Sequence, residues 1–331
     1  MPDEFFMRLA IAEAWKYQGL TYPNPAVGAV VVNSEGAILS VAAHQKAAEA
    51  HAEVLALKDA YKVLSGDTTI DALHQSRDIH DFLHVNAGEL FEECSLYTTL
   101  EPCNHEGKTP SCADLLETLS LRRIIIGSLD THAIASGGAR RLRHVSTGVC
   151  HDACEALLLP FKAWQKQQFI FFKWAQRLDG TIDGGTISAI ESRRNVHAMR
   201  SVCELLIIGG NTVREDRPTL DSRLVNGPAP DILIYSHNSD FDDTIPLFHV
   251  PRRQVFIDDH WDRLKGYRNI MIEGGPVLLE ATQSMVDCYV SFIAPSSGGS
   301  IPFTTQRADF EWLHVAPSGC DLKMWLRKKD E

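Results

Sequence analysis

No apolar run in the sequence approaches the ~18–20 residues needed to cross a bilayer, so no membrane span is expected. The start, Met1-Pro2-Asp3-Glu4, lacks the basic and then apolar pattern of a secretory leader. Basic charge is in deficit: Lys+Arg is 32 against Asp+Glu 43, a formal net charge of −11. A duplex-binding surface shows the opposite balance, so a nucleic-acid partner is not expected. Eight cysteines are too thinly spread over 331 residues for the disulfide framework of a small secreted protein. The pattern fits a cytoplasmic chain in which a few cysteines bind metal and the rest pack. The sequence has no internal repeat, no low-complexity tract and no G-x-G-x-x-G, which excludes a standard Rossmann dinucleotide fingerprint. With 44% hydrophobic and 23% charged residues, this length predicts two ordinary globular domains.

Apolar positions at helical spacing predict a first helix over residues 4–18, and the breaker Tyr22-Pro23-Asn24-Pro25 follows it. Val27–Val32 is β-branched and reads as a buried strand, Asn33–Gly36 as a turn, and Ala37–Ala42 as the return strand. Ala50–Leu64 reads as a helix. Residues 65–93 are polar and weakly patterned, an insertion with one or two short helices. Ser95–Leu100 is a strand, Cys112–Leu119 a helix and Arg122–Gly127 a strand. The alternation predicts an α/β domain over residues 1–150. A helical connector follows over 151–167, then a second α/β domain over 168–331. The clearest parts of the second domain are two strand–glycine junctions, Leu205–Gly210 and Asn269–Pro276.

His51-Ala52-Glu53, Pro102-Cys103 and Cys112 are the chemically informative group. One imidazole and two thiolates suit Zn²⁺, and three protein ligands leave a fourth position for water acidified toward ~7. Glu53 lies two residues beyond His51 at a helix start, turned away from the ligand direction, where a carboxyl could move a proton. Cys112 opens a helix, which favours thiolate. H-x-E with P-C-x-x-C is the signature of zinc nucleobase deaminases. Here the second cysteine comes nine residues after the first, leaving a polar loop, Asn104–Ser111, that is cationic at Lys108. A closed structural zinc site would need a fourth ligand, which His44, His105 or Cys94 could supply. Cys150, Cys154, Cys203, Cys288 and Cys320 read as packing. His74, His80 and His84 read as solvated surface.

The segments Pro23–Gly28, His51-Ala52-Glu53-Val54 and Thr99–Cys112 resemble the N-terminal domain of bifunctional riboflavin-biosynthesis deaminase/reductases of the RibD type. The long Cys–Cys loop separates this group from tRNA adenosine deaminases and cytidine deaminases. The resemblance implies a cytidine-deaminase-like three-layer first domain and a dihydrofolate-reductase-like second domain. It implies a small-molecule substrate, a phosphorylated ribosylaminopyrimidine, whose 2-amino group is hydrolysed before NADPH reduces the ribosyl to a ribityl chain. It also implies a homo-oligomer. On this basis His51, Cys103 and Cys112 bind zinc, Glu53 shuttles the proton, and Asn24, His44, Asn104, His105 and Lys108 hold the substrate.

NADPH phosphates need backbone N–H groups at a helix start. Gly274-Gly275-Pro276 has suitable parts, with Pro276 at a first helical position; a plain tight turn is the alternative. The resemblance places Ala175, Ser188, Thr212, Asp216, Gly275, Pro276, Val277 and Leu278 at cofactor positions. It places Lys173, Arg200, Leu220, Arg223 and Glu273 at reductase-substrate positions, the two arginines as phosphate-reading forks. Three features depart from the family. Gly184-Gly185-Thr186 stands where a Ser and a Trp usually precede the Ile-Thr-Ser segment, Arg217 stands in an Asp-Asp-Pro motif, and Arg177 replaces a serine before Leu178-Asp179-Gly180. These leave a second reading, a monofunctional zinc deaminase with a structural C-terminal domain.

Overall fold

The computed structural model describes residues 1–131, 136–304 and 307–329. The chain forms two compact units, Met1–Gln165 and Lys166–Glu331.

In the first unit the elements run α1 Asp3–Trp15, β1 Gly28–Val32, β2 Ile38–Ala43, α2 Ala52–Ser65, α3 Ser76–Asn86, β3 Ser95–Leu100, α4 Cys112–Thr118, β4 Arg123–Ser128, α5 Gly138–Arg141, β5 Val145–Thr147 and α6 His151–Lys166. The sheet order is β2-β1-β3-β4-β5. β1 is antiparallel to β2 and β3, while β3, β4 and β5 are parallel. Alternation along β1 sorts its side chains to two faces. Ala29 and Val31 join the core built on α2, α3 and α4. Gly28 faces the other way, against α1: a Cβ there would lie 1.9 Å from the Ala10 carbonyl oxygen. Helices therefore cover both faces, as a three-layer unit requires.

That contact yields a prediction. Gly28→Ala has only backbone to push against, so the variant should lose about 2–3 kcal/mol, the upper part of the overpacking range. Urea unfolding of the variant would measure it. An unchanged midpoint would mean that α1 can move off the strand.

The 65–93 segment departs from its polar appearance. Ile70, Ile79, Leu83 and Phe91 are fully buried and belong to the same core as Leu57, Leu115 and Leu116. Ile79 and Leu83 stand four apart on α3, the spacing that puts two side chains on one helix face. The many charged residues between the buried ones hide this stripe in the sequence.

The second unit holds β6 Phe169–Arg177, α7 Ile190–Val202, β7 Leu205–Gly209, α8 Gly210–Asp216, β8 Asp231–Tyr235, β9 Val255–Asp258, β10 Asn269–Glu273, α9 Pro276–Thr282, β11 Cys288–Ala294, β12 Phe310–Ser318 and β13 Asp321–Lys328. Its sheet has eight strands in the order β12-β13-β11-β6-β10-β7-β8-β9. The strands from β11 to β9 run parallel, and β13 and β12 close one edge antiparallel. The runs Phe169–Phe172, Leu205–Ile208 and Asn269–Glu273 are continuously buried, as strands covered on both faces must be. β7 and β10 are neighbours, so their glycine junctions lie side by side at the carboxyl edge, where open α/β sheets place ligands. Among the described residues, no helix is long and apolar enough to cross a membrane.

Candidate metal centre and a second candidate site

Two helix starts and one loop assemble the first site. His51 is the extended N-cap of α2, Cys103 follows the end of β3, and Cys112 opens α4. Their ligand atoms all lie within 4.8 Å of one another. His51 Nδ1 is 3.6 Å from Cys103 Sγ and 3.3 Å from Cys112 Sγ, so Nδ1 faces the two sulfurs. Nε2 lies 3.2 Å from Thr109 Oγ1, and a proton on Nε2 leaves Nδ1 free to ligate. One nitrogen and two sulfurs converging without a disulfide are the donor set of a tetrahedral zinc ion with one position open.

None of the three possible fourth ligands joins the group. His44 is buried, its Nδ1 3.1 Å from the Ala50 carbonyl and its Nε2 3.1 Å from Asn24 Nδ2. That pairing fixes a neutral ring, and burial followed by the nearby His51 lowers its pKa to about 4. Cys94 lies before β3 and Cys103 after it, so the strand separates them. His105 is exposed.

Glu53 lies in the first turn of α2, buried and hydrogen-bonded to Cys112. Burial pushes its carboxyl up to about 7, against the attraction of His51 and with the help of Cys103. A carboxyl so placed can exchange a proton near neutral pH.

The loop between the sulfurs is braced on several sides. Ser111 caps α4 by accepting from Asp114 N at 3.2 Å, and its hydroxyl donates to the Cys103 carbonyl at 3.0 Å. Asn104 accepts from Arg141 of α5 at 2.7 Å, while His105 and Lys108 are exposed. Glu101, just before Pro102, is buried and accepts from the backbone N–H groups of Asp130, Gly137 and Ala139. His80 is the correction here. It is half-buried rather than solvated, with Nε2 3.2 Å from the Ser111 carbonyl; His74 and His84 are exposed as expected. Thr109, Glu101 and Arg141 were not legible as site supports. Thr109 inside the Cys103–Cys112 loop and Glu101 just before it had only their position as a signal, and Arg141, far along the chain, had none.

In the second unit three of the named residues meet. Lys173 of β6 and Glu273 of β10 are register partners, 3.2 Å apart. Arg200 of α7 engages the same carboxylate through Nε at 2.6 Å and a terminal nitrogen at 2.9 Å. Burial alone would raise the Glu273 pKa, but Arg200 and then Lys173 hold it at about 2. The fork of Arg200 is thus taken up by protein, and its remaining terminal nitrogen donates to the Asp221 carbonyl. Arg223 is exposed and pairs with Asp221 at 2.6 Å. Leu220 is buried with φ 54°. Gly275 is the N-cap of α9 and Pro276 its first residue. A Cβ on Gly275 would meet only Ile182 Cδ1, at 3.6 Å, so the junction keeps open space in front of its backbone. Val277 points to solvent and Leu278 inward. Thr212 stands in the first turn of α8, and Ala175 and Ser188 are half-buried; Asp216 is exposed at the end of α8. Among the described residues, no hydrogen bond or ion pair joins these last four to the Lys173–Arg200–Glu273 group. Arg217 pairs with Asp242 and Thr244, and Arg177 donates to the Asp183 carbonyl.

Residues 1–128 match the family model of the cytidine and deoxycytidylate deaminase zinc-binding region, and residues 168–322 that of the RibD C-terminal domain. The chain is 36% identical over 235 residues to the riboflavin biosynthesis protein RibD of Aquifex aeolicus, covering 67% of this chain and 58% of that protein. It is 31% identical to that of Synechocystis over 72% of this chain and 60% of that protein. With the Mycobacterium tuberculosis protein the identity is 28%, over 87% of this chain and 84% of the relative. The matches thus span under two thirds of the first two relatives' length. Among solved structures, RibD of Acinetobacter baumannii aligns at a TM-score of 0.64 with 23% identity, over 99% of both chains. A Thermotoga maritima deaminase/reductase aligns at 0.65 with 24% identity, over 98% of both.

Proposed function

The chain belongs to the RibD family, and from that premise we propose that it carries out two consecutive reactions of riboflavin biosynthesis, a hydrolytic deamination and an NADPH-dependent reduction. The observation that carries the reading is the convergence of His51 Nδ1 and the two sulfurs beside the buried Glu53 carboxyl, whose pKa burial raises to about 7. His51, Cys103 and Cys112 would hold Zn²⁺, which when bound supplies an acidified water.

The residues of the first unit do the rest. The Glu53 carboxylate takes a proton from the attacking water and delivers it to the departing amine. The C–N bond to the 2-amino group breaks, a C–O bond forms and ammonia leaves. The neutral His44–Asn24 pair and the loop residues Asn104, His105 and Lys108 hold the diaminopyrimidinone ribosyl phosphate. Thr109 keeps the His51 ring in the tautomer that presents Nδ1.

In the second unit the glycine junctions after β7 and β10, with Ala175, Ser188, Thr212, Asp216, Pro276, Val277 and Leu278, would bind NADPH. The cofactor carries the hydride and the protein positions it. Lys173, Leu220, Arg223 and Glu273 would face the ribosyl substrate, with Arg200 holding the Glu273 carboxylate in place. The adjacency of the two glycine junctions supports this reading over a purely structural second unit.

Purified protein given the diaminopyrimidinone ribosyl phosphate should release ammonia, and NADPH absorbance should fall only once the deaminated product is present. Ammonia release without NADPH oxidation would leave a monofunctional deaminase. Faster deamination of a tRNA or a single-stranded oligonucleotide would overturn the substrate class.

A further inference from the structure

We propose that helix α3 is a positioning element of the metal centre and that His80 is its positioning residue, acting through Ser111 on the two cysteines. The proposal rests on the reading of His51, Cys103 and Cys112 as zinc ligands.

α3 packs against both α2 and α4, the helices that bring His51 with Glu53 and Cys112 to the site. Ile79 and Leu83 wedge into the core shared with Leu57 of α2 and Leu115 and Leu116 of α4. The spacing between two ligand-bearing helix starts is therefore set in part by a third helix that contributes no ligand.

His80, next to Ile79, reaches the ligand loop itself. Its half-buried Nε2 donates to the Ser111 carbonyl at 3.2 Å. Within α4 that carbonyl has only a long partner, Leu115 N at 3.5 Å, so a second donor has a lone pair to use. The same Ser111 donates its hydroxyl to the Cys103 carbonyl and precedes Cys112 in the chain. One imidazole thus restrains the residue that links both sulfurs. Arg77, one turn earlier on α3, pairs with Glu106 in the middle of the loop. Both members of that pair are well exposed, so it contributes little, and the root contact through His80 carries the effect.

An eight-residue loop between two ligands has many conformations that do not bind metal, and each external tether removes some of them. Loss of a partner outside the ligand set commonly weakens metal binding by about 10–100-fold.

The test compares His80→Leu with His80→Gln in the full-length, zinc-loaded protein. Both keep a side chain of similar size at a half-buried position, but only Gln retains a donor. Zinc transfer to a chromophoric chelator should run roughly tenfold faster in H80L and near the parental rate in H80Q. Steady-state ammonia release should show a raised KM in H80L, because the loop that carries Asn104 and Lys108 is freed. Thermal melting of the metal-free proteins should coincide. Parental zinc release by H80L would overturn the proposal, as would equally fast release by both variants. A parent chain that binds no zinc would instead sink the ligand reading on which the proposal stands.

Discussion

Glu53→Gln should keep its zinc and lose about 10²–10⁴-fold in ammonia release, the usual contribution of a positioned acid–base group. The amide matches the carboxyl in size, so the packing around the start of α2 should survive. It cannot accept and return a proton, which is the only function lost. Metal content per chain and initial rates, measured on one preparation, separate these effects. The stability of the metal-free protein gives an independent check with a definite sign. Burial raises the Glu53 carboxyl from its ordinary value of 4.5 to about 7. A folded-state value above the unfolded one means that the folded chain binds the proton more tightly. Stability then falls as pH rises from about 4.5 through 7. The Gln variant lacks that slope, so at pH 8 it should melt above the parent. Full turnover in the variant would remove Glu53 from the chemistry, and coincident melting at pH 8 would remove the desolvation argument.

The second large effect belongs to the other unit. Arg200→Met should cost about 3–5 kcal/mol, because it leaves a buried carboxylate with one cation in place of two. Glu273 and Arg200 are only 11% and 12% exposed at their side chains, so water cannot replace the lost partner. Adding Glu273→Gln to the Met variant should recover part of the loss, since the uncompensated charge then disappears. The pH dependence follows from the depressed pKa of Glu273. In the parent its stabilisation is present above about 4.5 and is lost as pH falls toward 2. Without Arg200 that acid-side loss should flatten. Denaturant midpoints between pH 2.5 and 7 would measure both effects. A single variant as stable as its parent would show that Lys173 alone neutralises Glu273.

Much of this architecture could be read from residue order. The strand Ser95–Leu100 has the boundaries its β-branched and aromatic residues imply, and the paired glycine junctions of β7 and β10 fall where a parallel sheet presents them. The convergence of His51, Cys103 and Cys112 was legible because metal chemistry restricts residue type as well as spacing. Their supports were not. Thr109, Glu101, Arg141 and His80 act by where loops return in space, and nothing local marks a threonine that meets an imidazole 58 residues away. The 65–93 segment misled for a related reason. Five buried apolar side chains among many charged neighbours give a weak periodic signal, although they insert fully into the core. Arg200 shows a further limit. Its residue type suggested phosphate recognition, and only the fold reveals that Glu273 already occupies its fork.

The pairing of Lys173 with Glu273 also constrains how the eight-stranded sheet zips together. The two residues face each other across β6 and β10, in a region where Phe172 and Ile272 pair one step earlier. Parallel apolar strands slide past one another at little cost in contact area. Here a one-residue slip would turn the carboxylate to the opposite face of the sheet, opposite an aromatic ring and away from both cations. The charged pair therefore acts as an alignment mark, penalising one-residue slips of the central strands during folding.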